Sequence, residues 1–295
     1  MSGLGRGEQA PSPKRSLRHV TRGYTVLLYH RLAGEGKAGQ ERIDVPPRAF
    51  DRQMRLLSRL RFSPLSQSEL VEFHARRSRA LPRRGVVVTI DDAFEDVVEP
   101  LLRNARLHPL LFVPTANVGG PVEWLHGERI AGWQQLLRLA DAGVVLGAHT
   151  RTHVDLPAAD NATAELEVNG ARDDLRDRTG ASPVAFAYPH GRFGEREREF
   201  VEAAGYALAF TTRPGRNDAA SDPLALRRVS VKAWDSNLSF AWKLITGTQP
   251  PAYWERWLLL RAAAARRLGR ARRRGRARVP AATPPDAAPP PRQRP

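Results

Sequence analysis

The sequence predicts a single α/β domain of parallel β/α units curled into a barrel. Three observations carry that expectation. Aliphatic and β-branched runs alternate with helix-period segments between Thr25 and Val231, the pattern of parallel strands joined by helical crossovers. The polar motifs that stand out each follow such a run directly, at the edge where barrels of this type gather their chemistry. No internal repeat divides the 295 residues, so one domain is the economical organisation.

Residues 1–22 read as a flexible basic arm ahead of a barrel assigned to residues 23–250. Thr25–Tyr29 is a short apolar run ending at Tyr29-His30, and Gly34, Gly36 and Gly39 then mark a loop. Phe50, Met54, Leu57 and Leu60 recur at helical spacing, and Ser66-x-x-Glu69 is a capping box for a second helix. Val86–Ile90 is a β-branched run that reads as a buried strand and leads straight into Asp91. A helix over 97–106, a strand at 110–113, a helix over 133–140 and a strand at 144–146 follow, the last delivering Gly147 and His149. Next come a polar helix over 162–178 and a strand at 184–187 feeding Tyr188-Pro189-His190-Gly191. A helix over 195–204 and strands at 207–211 and 229–231 complete the series.

Composition narrows the chemistry. There is no cysteine, which excludes disulfides, thiolate zinc sites and a cysteine nucleophile. The net charge is +16, but residues 261–295 account for +10 of it and residues 1–22 for +4, so residues 23–260 carry only about +2. An anionic partner would therefore meet the tails and not the barrel. Thr25–Tyr29 is too short for a signal-peptide core or a membrane span, so the expectation is a cytoplasmic protein.

The C-terminal end differs in kind. Trp254, Trp257, Leu258 and Leu260 form an apolar patch on an expected helix over 251–279 that turns arginine-rich from Arg261. Such a helix either lies on an anionic membrane surface or packs its tryptophans on the barrel. Residues 280–295 are rich in Pro and Ala and read as disordered. Aromatic residues are not interleaved with the arginines, so no nucleic-acid partner is expected.

The candidate chemistry lies in two pieces. Asp91-Asp92 alone is more often a solvated turn. His149-x-x-x-His153 is more informative, because two imidazoles at this spacing can share one metal. Together they offer one carboxylate and two histidines for a divalent ion and a second carboxylate as a base, which is what metal-assisted hydrolysis requires. A two-His, one-Asp set suits zinc first, with cobalt or nickel as alternatives.

These residues also carry a resemblance. Thr89-Ile90-Asp91-Asp92-Ala93 resembles the Thr-Phe-Asp-Asp-Gly motif of polysaccharide deacetylases, the NodB-homology group or carbohydrate esterase family four. Gly147-Ala148-His149-Thr150-Arg151-Thr152-His153 is similar to the Gly-Ser-His-Ser/Thr-x-x-His motif of that family, and Phe186-Ala187-Tyr188-Pro189-His190-Gly191 to its Phe-x-Tyr-Pro-x-Gly loop. The resemblance implies a distorted (β/α) barrel with fewer than eight complete strands. It also implies hydrolysis of an acetyl group, N-acetyl before O-acetyl, on a sugar of a glycan or its precursor. Carried over by position, Asp91 is the general base and Asp92, His149 and His153 hold the metal. Tyr188, Pro189, His190 and Gly191 form the substrate and oxyanion loop.

Many family members place the acid histidine late, and this chain has none after His190. His30, at the end of the first strand, is the acid candidate, with His190 in reserve. Arg228 is expected to pair with the base, ahead of Arg192. Ala93 stands where the family has glycine, and the late Asp-Trp motif is absent unless Trp234-Asp235 is a reversed remnant. These departures motivate an alternative: a catalytically impaired module that binds glycan without cleaving acetyl groups.

Overall fold

A computed structural model describes residues 23–34, 44–76, 81–251 and 253–254. The arm over 1–22, Gly36, Gly39, and the tail from 255 onward with Trp257, Leu258 and Leu260 lie outside the described residues. The described residues up to Gln249 form one compact unit.

The elements run β1 (Tyr24–Tyr29), α1 (Pro47–Arg59), β2 (Ser63–Pro64), α2 (Gln67–Arg76), β3 (Gly85–Ile90), α3 (Val98–Asn104), β4 (Leu110–Val113), β5 (Pro121–Val122), β6 (Glu128–Arg129), α4 (Trp133–Asp141), β7 (Val145–Ala148), α5 (Asn161–Thr179), β8 (Ala185–Ala187), α6 (Glu195–Ala203), β9 (Leu208–Phe210), β10 (Val229–Ser230) and α7 (Asn237–Thr246). The helices start where the chain supplies caps. Ser66 and Glu69 form the reciprocal box at α2, with Ser66 N–H donating to Glu69 Oε2 at 2.9 Å and Glu69 N–H to Ser66 Oγ at 3.3 Å. Asp160 accepts the Thr163 N–H at 2.7 Å at α5.

The main sheet is parallel, in the order β10-β1-β3-β4-β7-β8-β9, with β2 added beside β3. Leu226 bridges Phe210 in β9, and β10, three residues on, pairs with β1. One short segment thus ties together the two ends of the curled sheet. The result is a distorted parallel barrel wrapped by helices.

Strands β1 and β3 are buried on both faces, and successive side chains alternate between two clusters with the period of two expected in strands. Val26, Val87, Leu110, Phe112, Ala187 and Phe210 belong to one buried cluster drawn from strands around the curl. Leu27, Tyr29, Val86, Val88 and Ile90 pack instead with α1, α3, α4 and α7. Gly147 is required where β7 passes β4, because a Cβ there would meet the Phe112 ring at 2.6 Å.

Several elements depart from expectation, the short β2 among them. The helix over 97–106 is α only for Val98–Asn104, with a 3₁₀ turn on each side. The β5–β6 hairpin and α7 were not anticipated, although Ser236 caps α7 through the Ser239 N–H (3.1 Å) and Gly247 ends it at φ 70°.

Candidate active site

Asp91 continues the register of β3, its N–H donating to Tyr29 O at 2.9 Å. In a regular strand the next side chain would face the other way. Positive φ at Asp92 (70°) and Ala93 (53°) breaks that alternation, and both carboxylates face His149. Its Nε2 is 3.4 Å from Asp92 Oδ1 and 4.0 Å from Asp91 Oδ2. Left-handed geometry on non-glycine residues also occurs at Thr150, His153 and His190. Strain is thus concentrated where the three motifs meet.

The two histidines are held by different means. His149 directly follows β7, its N–H donating to Val113 O at 3.0 Å. Its Nδ1 lies 2.7 Å from Ala187 O, which assigns the proton to Nδ1 and leaves the Nε2 lone pair facing the carboxylates. His153 closes a tight loop. Thr150 Oγ1 accepts its N–H at 3.0 Å, and buried Glu167 of α5 accepts the N–H groups of Arg151 and Thr152, each at 2.8 Å. His153 Nε2 is 3.3 Å from Asp92 Oδ1.

Asp92, His149 and His153 are the cluster of metal-donor side chains found among the described residues, with one atom from each within 4.8 Å of the others. Asp92 Oδ1 is buried yet has no hydrogen bond of normal geometry, although two imidazole nitrogens stand 3.3 and 3.4 Å away. Those separations match the ~3.3 Å edge of a tetrahedron with ~2.0 Å bonds, the geometry of zinc held by nitrogen and oxygen. The donor set therefore fits a divalent ion.

Arg228 comes from the segment that joins the two sheet ends. It is fully buried and reaches Asp91 with two bonds, Nη1 to Oδ1 at 2.6 Å and Nη2 to Oδ2 at 2.7 Å. Nη1 also donates to Thr89 Oγ1 at 3.2 Å and Nε to Thr211 O at 2.8 Å, between the Phe112 and Phe210 rings. Arg192, the other candidate, is paired with Asp155 on the surface.

The charges set the protonation states. Burial pushes the Asp91 carboxyl up, but Arg228, His149 and His30 outweigh it and hold the group below the usual carboxylate range. Burial also works against ionised Asp92, yet His149, His153 and His30 keep it well below that range. His153 is lowered to about 4, by burial first. His30 is lowered by burial, against the opposing pull of Asp92 and Asp91; its imidazole senses both carboxylates and makes no hydrogen bond among the described residues.

The loop after β8 is shaped by its own residues. Gly191 has φ 70°, and a Cβ there would strike Thr212 Oγ1 at 2.1 Å, so only glycine fits. Within Tyr188–Gly191, Tyr188 N–H donates to Phe210 O and Gly191 N–H to Tyr188 O, and Pro189 has no N–H. The His190 N–H is the loop amide left without an acceptor among the described residues. The His190 ring lies edge-on to His153, centroids 4.9 Å apart.

Two residues escaped the sequence reading. Trp124 stacks on His153, centroids 4.7 Å apart and planes 18° apart, while 38% of it stays exposed. Its hairpin is anchored on the Asp92-Ala93 turn by Ala131 N–H to Ala93 O at 2.9 Å. Gly119-Gly120-Pro121 and Gly127 bracket Trp124 in the sequence, and that was the available signal. Glu167 gave none, being one acid of a polar helix. Asp235, by contrast, is not joined to this site: it is paired with Lys243 and accepts the Lys232 N–H, so Trp234-Asp235 anchors α7.

Residues 78–209 match the family model for polysaccharide deacetylase, a span that contains all three motifs. Over that span the barrel resembles the polysaccharide deacetylase family. His30 and Arg228 lie outside the matched span. The deacetylase fold is shared with Streptococcus pyogenes deacetylase PplD, solved in complex with acetate, at 21% identity over 75% of this chain and 98% of that one, TM-score 0.66. IcaB from Ammonifex degensii is similar at 23% identity over 77% and 97%, TM-score 0.66. A de-N-acetylase from Aggregatibacter actinomycetemcomitans aligns at 15% identity over 72% and 96%, TM-score 0.61. No curated protein matches the chain.

Proposed function

We propose that this protein is a metal-dependent hydrolase that removes acetyl groups, N-acetyl first, from an amino-sugar-containing glycan or glycan precursor. The observation that carries this reading is the Asp92, His149 and His153 triangle beside a second, arginine-paired carboxylate. Zinc is the first choice of ion, with cobalt or nickel as alternatives. Bound there, a divalent ion supplies Lewis acidity to the acetyl carbonyl and acidifies water.

The chain's own residues divide the remaining work. Asp92, His149 and His153 hold the ion, and the His149 bond to Ala187 and the Glu167 clamp keep two of them aimed. Asp91, ionised by its pairing with Arg228, takes the proton of the attacking water. The open His190 N–H stabilises the developing oxyanion, and the strained φ of 58° at that residue leaves the amide without an internal partner. His30 carries a proton to the departing amine. Its lowered pKa means that it rests neutral and must first be loaded during the reaction. Trp124 presents an apolar face at the mouth, suited to a sugar ring.

The solved relatives named as deacetylases, one holding acetate and one a de-N-acetylase, support acetyl removal as the reaction. The test is acetate release from N-acetylated oligosaccharides by metal-stripped protein reconstituted with Zn²⁺, Co²⁺ or Ni²⁺. Release is expected only with metal, to vanish in Asp91→Asn, and to fall about 10²–10⁴-fold in His30→Ala. Tight metal binding without release from any glycan would replace this reading with that of a glycan-binding module.

A further inference from the structure

We infer that the outer faces of α1 and α7 form a docking surface for an anionic lipid bilayer. On α1 the residues Arg48, Arg52, Arg55 and Arg59 are all exposed and follow the i, i+4, i+7 spacing of one helix face. None of the four has a carboxylate partner among the described residues. Elsewhere on the barrel Arg103, Arg138, Arg151, Arg176, Arg192 and Arg198 each hold an acid. Other exposed arginines such as Arg61, Arg83 and Arg106 also lack a carboxylate partner among the described residues, but they do not line up along one helix face. The one acid in α1, Asp51, is engaged by Arg103 and Asn104.

Helix α7 packs beside α1, and Arg52 Nε donates to Asn237 Oδ1 at 3.1 Å across the seam. Its outward side is apolar. Leu238 is 55% exposed and Ile245 50%, with half-buried Trp242 between them, and Trp234 just before the helix is 57% exposed. No acidic residue occurs in α7. An arginine row therefore adjoins an apolar row along the flank of the barrel.

Chemistry selects the occupant. A nucleic acid could stack on Trp234 but would leave the aliphatic Leu238 and Ile245 facing water, which disfavours it. A second copy placed symmetrically on this face would oppose its arginine rows to each other. An anionic bilayer satisfies both rows, taking the arginines at the headgroups and the aromatic and aliphatic side chains at the acyl boundary. The same pairing of apolar and basic composition recurs farther along the sequence, at Trp257–Leu260 and the eleven arginines from Arg261 onward.

Both helices begin at the C-terminal edge of the sheet, following β1 and β10, and that edge carries the catalytic motifs. Docking on this flank brings the barrel mouth to the headgroup level. Resting on the deacetylase reading, that placement points to an acetylated sugar carried on a lipid as the substrate class.

Sedimentation of the full chain with phosphatidylcholine vesicles, with and without phosphatidylglycerol, tests the surface without relying on catalysis. Binding is expected only to the anionic vesicles. Each surface arginine is worth about fivefold at low salt, so R48Q/R52Q/R55Q/R59Q should weaken binding by at least about tenfold. L238S/I245S should weaken it by about tenfold and remove the part that survives high salt. Both variants are expected to release acetate from a soluble oligosaccharide at the wild-type rate, which separates loss of docking from loss of fold or of catalysis. Wild-type vesicle binding by both variants would overturn the inference and leave the C-terminal tail as the sole contact. A dimer in light scattering that L238S/I245S abolishes would assign the face to a second copy instead.

Discussion

Two buried arginines sit on either side of the end of β1, and they handle charge in opposite ways. Arg228, in the barrel, meets Asp91 alone through two short bonds, and the carboxyl it holds is driven below its ordinary range. Arg31, on the outer side next to His30, is shared. It reaches Asp96 at 2.8 Å, Glu128 at 3.2 Å and Asp44 at 3.6 Å. There burial wins, and the carboxyls of Asp44 and Asp96 are raised. One cation for one carboxylate keeps a base ionised, while one cation among three leaves excess negative charge that resists ionisation. The first arrangement suits catalysis, and the second ties the loop at Asp44 and the β5–β6 hairpin to the rim.

The largest effect should come from breaking the matched pair. Arg228→Met leaves Asp91 buried and unpaired, and the expected loss is about 3–5 kcal/mol in denaturant unfolding. Asp91 is lowered in the folded state, so its contribution is present above its ordinary 3.8 and lost as pH falls through the folded value. Without Arg228 that contribution disappears, and the acid limb of the kcat/KM profile moves to higher pH. Arg228→Met with Asp91→Asn should recover most of the stability and none of the activity. Recovery of neither would mean that the arginine acts by packing between Phe112 and Phe210 and not through the carboxylate.

A smaller effect is expected at the shared arginine. Asp44 is buried with both oxygens lacking a hydrogen bond, and Arg31 keeps two other acids when Asp44 is removed. Asp44→Asn should cost less than about 1 kcal/mol at pH 7. The pH dependence has the opposite sign to that of Asp91. Because the folded-state carboxyl is raised, its contribution is present below the ordinary 3.8 and is lost as pH rises through the folded value. Wild-type stability relative to Asp44→Asn should therefore decline as the buffer is taken upward from about pH 4. A flat difference would show that Asp44 is as ionised as a surface acid.

The contrast also separates what the sequence could reveal from what it could not. Strand ends were legible, because β-branched runs such as Val86–Ile90 are buried on both faces and stop at polar motifs. The clustering of Asp92, His149 and His153 was legible because all three follow two such runs. Arg228 could be chosen over Arg192 only weakly, since in a chain this rich in arginine the deciding fact is the closure of the sheet through Leu226–Ser230. Glu167 and Trp124 were invisible for a related reason: each acts through a neighbour far along the chain. The two-residue strands of the hairpin are too short to show any period. Helix α7 had its cap and its terminal glycine in plain view, but its apolar outer face blurred the amphipathic pattern that identifies a helix.

The smallest effect concerns the turn that brings the matched pair close to the Asp92, His149 and His153 cluster. Ala93 occupies the left-handed region at φ 53° and is fully buried, where the resemblance expects glycine. A left-handed L-residue costs about 1–2 kcal/mol. Against that stand the buried methyl, about 0.8 kcal/mol, and the extra unfolded-state entropy of glycine, about 0.4–1 kcal/mol. The opposing contributions nearly cancel, so Ala93→Gly should lie within about 1 kcal/mol of wild type. Acetate release should change by less than about threefold, because the Ala93 carbonyl still accepts the Ala131 N–H in either case. A large gain in turnover would show that the alanine holds Asp92 off its working position, and would place the departure from the family pattern in catalysis and not in folding.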